Sequence, residues 1–107
     1  MCVIDIYESS IDCTGRHGAA FERDDDTAFF YLLELDASGA HKIREVFNAH
    51  TVTAMPANAP VALRWDSAGD AVGLFVGYKL IAVFDLRSEG QMGRWASDED
   101  KRLFTLQ

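Results

Sequence analysis

Proline and cysteine each occur only twice in this 107-residue chain, and no apolar stretch approaches the length of a membrane-spanning helix. With prolines only at Pro56 and Pro60, nearly every backbone N–H can enter a ladder, so long strands are permitted and a proline-rich linker is excluded. Two cysteines, Cys2 and Cys13, do not make the disulfide framework of a small secreted scaffold, and they read as free thiols. A transmembrane helix takes about 20 apolar residues; here the longest runs are broken by Asp, Lys or Arg. The start, Met1-Cys2-Val3-Ile4-Asp5, lacks the basic residues and continuous apolar segment of a secretory signal, so the cytoplasm is the expected compartment.

Positive charge is also in short supply. Ten Lys and Arg face 17 Asp and Glu, for a formal charge of −7. The whole excess falls in residues 1–40, where Asp5, Glu8, Asp12, Glu22, Asp24, Asp25, Asp26, Glu34 and Asp36 outnumber Arg16 and Arg23. Residues 41–107 are balanced. Such a chain repels a phosphate backbone, which argues against nucleic acid, and attracts a basic protein. Glu22, Asp24, Asp25 and Asp26 are the densest acids and form the candidate interaction surface. The competing reading is an acidic surface that serves solubility.

What is present is enough apolar residue for one core. The 49% hydrophobic content matches ordinary globular domains and excludes a disordered chain, and the length fits a single domain over 1–107. Val3–Tyr7 reads as a strand and Ser9–Gly18 as a loop. Gly18–Arg23 and Thr27–Leu35 read as two strands around the Asp24-Asp25-Asp26 turn, the second so apolar that it should be central or buried on both faces. Residues 41–47 fit either a strand or a short helix, because Ile43, Val46 and Phe47 have helical spacing while the β-branched content favours a strand, the preferred reading. After a loop at Met55–Pro60, Val61–Trp65, Ala71–Val76 and Leu80–Phe84 form a meander, with the tight turn Gly77-Tyr78-Lys79 before the third strand. Gln91–Trp95 reads as a last strand, and Ser97 caps a short helix through about Phe104. The expected fold is mainly β, α+β at most: one antiparallel sheet, meander or small sandwich or barrel of about six to eight strands with a short C-terminal helix.

Chemistry-bearing motifs are missing. Cys2, Cys13, His17, His41 and His50 contain no close ligand pair, and the three-aspartate turn lacks the alternating ligands, glycine and distal Glu of a calcium loop, so neither metal nor cofactor is expected. There is no Gly-x-Ser-x-Gly elbow, phosphate-binding glycine loop or dinucleotide fingerprint. The aromatics Trp65, Phe75, Tyr78, Phe84 and Trp95 read as core and sheet-face residues with no basic groove beside them.

One wider pattern carries a resemblance. Phe21-Glu22-x-Asp24-Asp25, the aromatic run into Leu33-Glu34-Leu35-Asp36, Glu45-Val46-Phe47-Asn48-Ala49-His50, the segment Val61 to Asp70, and Ala82-Val83-Phe84-Asp85-Leu86 together resemble a bacterial family catalogued as a domain of unknown function. The chain departs from it at Gly93-Arg94-Trp95 and the charged helix that follows. The resemblance implies a bacterial origin and supplies no activity. The function expected from the residues is therefore a non-catalytic binding or protein-interaction domain. Two narrower alternatives stay open: an immunity-type protein neutralising a basic toxin, and a small hydrolase using Cys13 with His17 or His50. An unpaired sheet edge also makes a homodimer a possible assembly.

Overall fold

The computed structural model describes residues 6–11, 15–38 and 40–105. Their eight strands form two antiparallel meanders that stack into a sandwich. The first sheet runs in the order β1 (Ile6–Ile11), β2 (His17–Arg23), β3 (Ala28–Leu35) and β4 (His41–Asn48). The second runs β5 (Val61–Trp65), β6 (Ala71–Val76), β7 (Lys79–Asp85) and β8 (Gly93–Trp95). A 3-10 turn at His50–Ala54 carries the chain between the sheets, and the helix α1 (Arg102–Thr105) ends it. β1 and β2 lie near β5, and β4 lies near β8, so the two meanders meet along both sides of the sandwich.

Alternation explains why the sheets stack. On β2 and β3 the residues Ala19, Phe21, Ala28, Phe30 and Leu32 face inward and are excluded from water. Val72, Leu74, Val76, Ala82 and Phe84 meet them from β6 and β7. At the centre the Phe30 and Phe84 rings lie with centroids 4.4 Å apart, tilted by 45°. Burying an aromatic ring of this size contributes about 3–5 kcal/mol when judged by truncation to alanine. Buried Arg23, at the end of the inner row, donates to the carbonyls of Thr53 at 3.3 Å and Met55 at 2.9 Å. It thereby ties the inter-sheet connection to β2.

The remaining expectations divide. Residues 41–47 are a strand, and the apolar β3 is central; its outward residues Phe29, Tyr31, Leu33 and Leu35 are half-exposed, so it is buried on one face rather than both. The loop expected from Ser9 is corrected, because Ser9, Ser10 and Ile11 continue β1 opposite Ala20, Ala19 and Gly18. Pairing to β2 supplies the backbone bonds that polar Ser9 and Ser10 do not advertise locally. Val3, Ile4 and Asp5 of the expected first strand, and both cysteines, lie outside the described residues. The C-terminal helix is shorter than expected. Ser97 and Asp100 form a reciprocal cap, the Asp100 carboxylate accepting from Ser97 N at 2.9 Å, but turns fill 98–101 and α1 begins at Arg102. No helix long and apolar enough to cross a membrane occurs among the described residues.

Candidate functional site

The two sheets treat their outer faces differently. Outward on the second sheet are Ala71, Gly73, Phe75, Leu80 and Val83, and the C-terminal segment folds over them with Phe104 at its centre. Gly73 makes room: a Cβ there would come within 2.8 Å of Leu80 Cδ1 and 3.0 Å of Phe104 Cζ. Arg94 and Asp100 clasp the segment in place through two bonds, while Arg94 also reaches Asp85 at 3.3 Å. Burial pushes the Asp100 carboxyl up, but the Arg94 guanidinium and the Ser97 N–H outweigh it and hold it below its ordinary value. Asp85 behaves alike: burial raises it, and the backbone and guanidinium of Arg87, with Arg94, bring it below the ordinary range.

The outer face of the first sheet has no such cover among the described residues. Register places Phe29, Tyr31 and Leu33 beside Val46 and Ile43, with Ile11 across on β1. Ile11, Ile43 and Val46 are 60%, 54% and 49% exposed. A bulge creates half of this patch. Leu32 pairs with Glu45 and Leu33 with Ile43, so Arg44 is an extra residue and both Ile43 and Val46 point outward. Isolated surface hydrophobes are ordinary; here they form a contiguous row on one face.

The predicted acidic residues sit at one end of this face. Asp24, Asp25 and Asp26 occupy the β2–β3 turn, and Glu22 stands on the outer face opposite Phe29. Asp24 and Glu22 hold specific hydrogen bonds. Asp24 Oδ1 accepts from Asp26 N at 2.9 Å, Thr27 N at 2.8 Å and Thr27 Oγ1 at 2.9 Å, which lowers its carboxyl pKa. Glu22 accepts from the Tyr31 hydroxyl at 2.7 Å, and that bond pushes the phenol up to about 12. Asp25 and Asp26 are exposed at the tip.

The histidines are not brought together. His17 and His41 flank β3 at one end of the first sheet, opposite Glu34 and Leu35. His50 follows the far end of β4 and packs edge-on against Trp95 with ring centroids 5.3 Å apart. The eight residues of β4 span roughly 23 Å at the usual rise. No group of three or more His, Cys, Asp or Glu positioned for a metal occurs among the described residues.

The reading of the aromatics needs one correction. Phe84 is core and Phe75 lies under Phe104, but Tyr78 is 89% exposed at the tip of the β6–β7 hairpin. Both loop residues have positive φ, 61° at Gly77 and 66° at Tyr78. Glycine takes that conformation freely; a tyrosine pays roughly 1–2 kcal/mol. A basic groove does accompany these rings. Arg64, Lys79 and Lys101 converge with Phe75, Tyr78 and Phe104 on a depression of about 700 Å³. Sequence reading missed it because the three cations come from β5, β7 and the C-terminal segment, far apart in the chain.

The fold is thus an antiparallel two-sheet sandwich with one outer face covered by the C-terminal segment and the other uncovered among the described residues. The chain belongs to the bacterial family described as an uncharacterized protein conserved in bacteria (DUF2251), whose model matches residues 5–102. No curated protein and no solved structure matches it.

Proposed function

We propose that this chain is a non-catalytic protein-interaction domain of the bacterial cytoplasm that docks a basic protein on the outer face of its first sheet. The observation that carries the reading is the open row of Ile11, Leu33, Ile43, Val46 and Tyr31, ending in the acids Glu22, Asp24, Asp25 and Asp26. Apolar area supplies the affinity, and the acids select a partner whose matching surface is apolar with Lys or Arg at one end. Charge at the rim steers the encounter and makes it depend on salt.

The test is retention of proteins from a native bacterial lysate on the immobilised chain, at low and moderate salt, beside Val46→Glu and an Asp25→Asn/Asp26→Asn double variant. The reading requires one basic protein, bound stoichiometrically, released by salt and lost with both variants. If that protein is a toxin whose activity the chain abolishes, the immunity form of the proposal holds. Equal retention by wild type and Val46→Glu overturns the docking face. A concentration-dependent dimer in sedimentation, abolished by Val46→Glu, assigns the face to a second copy and overturns the basic partner.

A further inference from the structure

The depression on the opposite side of the molecule is independent of the docking face. Its cations stand out in an acid-rich protein. Arg44, Arg87 and Arg94 all pair with carboxylates, whereas neither Arg64 nor Lys79 forms an ion pair among the described residues. Arg64 is instead held by neutral groups. Its guanidinium lies 5.5 Å from the centre of the Phe75 ring and donates to the Phe104 carbonyl at 3.4 Å. Those contacts orient the cation without neutralising it. Lys101 completes the group, its ammonium 3.4 Å from exposed Asp98.

The other wall is aromatic. Phe75 and Phe104 meet edge to face with centroids 5.6 Å apart, and exposed Tyr78 projects beside them from a backbone conformation that glycine would hold without strain. A side chain retained in such a conformation, in full exposure, is a recognised mark of a functional position. The volume, about 700 Å³, lies in the range of small-ligand sites.

We propose that this depression binds a small organic anion with a flat ring, its carboxylate or phosphate held by Arg64, Lys79 and Lys101 and its ring lying against Tyr78 and Phe75. Arg64 and Lys79, with no carboxylate partner among the described residues, can bind such an anion with charge-assisted hydrogen bonds, Lys101 adds a third positive charge, and the aromatic walls add ring contacts. The site therefore demands both parts of the ligand. A bare anion lacks the ring, and a neutral ring leaves the cations unanswered.

The experiment is an amide NMR titration of the isotope-labelled full chain with adenosine monophosphate and with naphthoate. Adenosine, naphthalene carboxamide and inorganic phosphate serve as the half-ligands. Saturable shifts are expected at Gly77, Tyr78, Lys79 and Phe104, with each half-ligand weaker by about tenfold or more. Response to adenosine monophosphate alone identifies phosphate as the anion, and response to naphthoate alone identifies carboxylate. Lys79→Gln, at an exposed hairpin position, should weaken binding by about tenfold with the amide spectrum otherwise intact. Tyr78→Gly should weaken binding while raising Tm, a split that a purely structural tyrosine would not produce. The proposal is overturned if neither probe shifts these amides at millimolar concentration, if neutral and charged rings bind equally, or if the shifts fall on Tyr31 and Val46 instead.

Discussion

At their seam, one carboxylate and one aromatic pair, Phe47 against Trp95 with ring centroids 4.9 Å apart, join β4 to β8. Glu45 faces inward on β4, opposite Leu32, and its oxygens accept from Met92 N at 3.0 Å and Gly93 N at 2.6 Å in the other sheet. Gly93 is glycine because the site is crowded: a Cβ would lie 2.8 Å from Phe84 Cε1 and 2.9 Å from Glu45 Oε2. Each hydrogen bond to a charged group contributes about 1.5–3 kcal/mol. Half-buried Met92 can recover a water on losing its partner, whereas buried Gly93 cannot do so readily, so Glu45→Ala is expected to cost about 2–4 kcal/mol. Glu45→Gln keeps one oxygen but turns an NH2 group toward the second amide, for a cost of about 1–2 kcal/mol. In urea unfolding the midpoint should fall with an unchanged slope, and Tm should fall by about 10 °C or more for the alanine variant. Amide exchange should accelerate at Met92 and Gly93 before it does at Leu74 or Val83. An alanine variant within about 0.5 kcal/mol of wild type, the range of an ordinary surface change, would refute Glu45 as a stabilising contact across the seam.

Phe84→Ala should lose about 3–5 kcal/mol in the same assay, since its ring packs against Phe30 in the centre of the sandwich. Gly73→Ala should cost about 1–3 kcal/mol by overpacking, and loss of Phe104 ring shifts in NMR would show the C-terminal segment lifted from Leu80. Asp85 and Asp100 have lowered pKa values when folded, so their contribution is present above their ordinary value of 3.8 and is lost as pH falls through the folded values. Acid unfolding of Asp100→Asn should accordingly show a shallower dependence on pH below that point. Tyr31 has the opposite sign: raised from 10.0 to about 12, its bond to Glu22 stabilises below pH 10.0 and is lost as pH climbs through about 12. Ultraviolet titration should find Tyr31 ionising late, and Glu22→Gln should return it toward the ordinary value.

The ambiguity at residues 41–47 has a structural cause. Ile43 and Val46 share a face because the bulge at Arg44 adds a residue between them, and a strand with an added residue acquires the three-residue spacing that imitates a helix. The Gly77-Tyr78 turn was legible as a hairpin, but nothing in its neighbours distinguishes an exposed tyrosine from one folded back on the sheet. The acidic turn was legible as charge. That Asp24 closes the turn and Glu22 holds Tyr31, leaving Asp25 and Asp26 exposed at the tip, depends on hydrogen bonds between partners whose geometry no spacing rule specifies.

Alternation and turn residues are local properties, and by themselves they determined that residues 18–35 and 61–84 form antiparallel hairpins. They also determined an acidic first part, since charge count survives any folding. Which outer face receives the C-terminus was decided in three dimensions. Gly73 leaves a socket for Phe104, and Arg94 meets Asp100 over it, so the second sheet is covered and Ile43 and Val46 on the first stay in water. Arg64, Lys79 and Lys101 became neighbours by the same closure. Long-range packing joins residues that sequence separates, and burial on one face of a strand says nothing about what lies against the other.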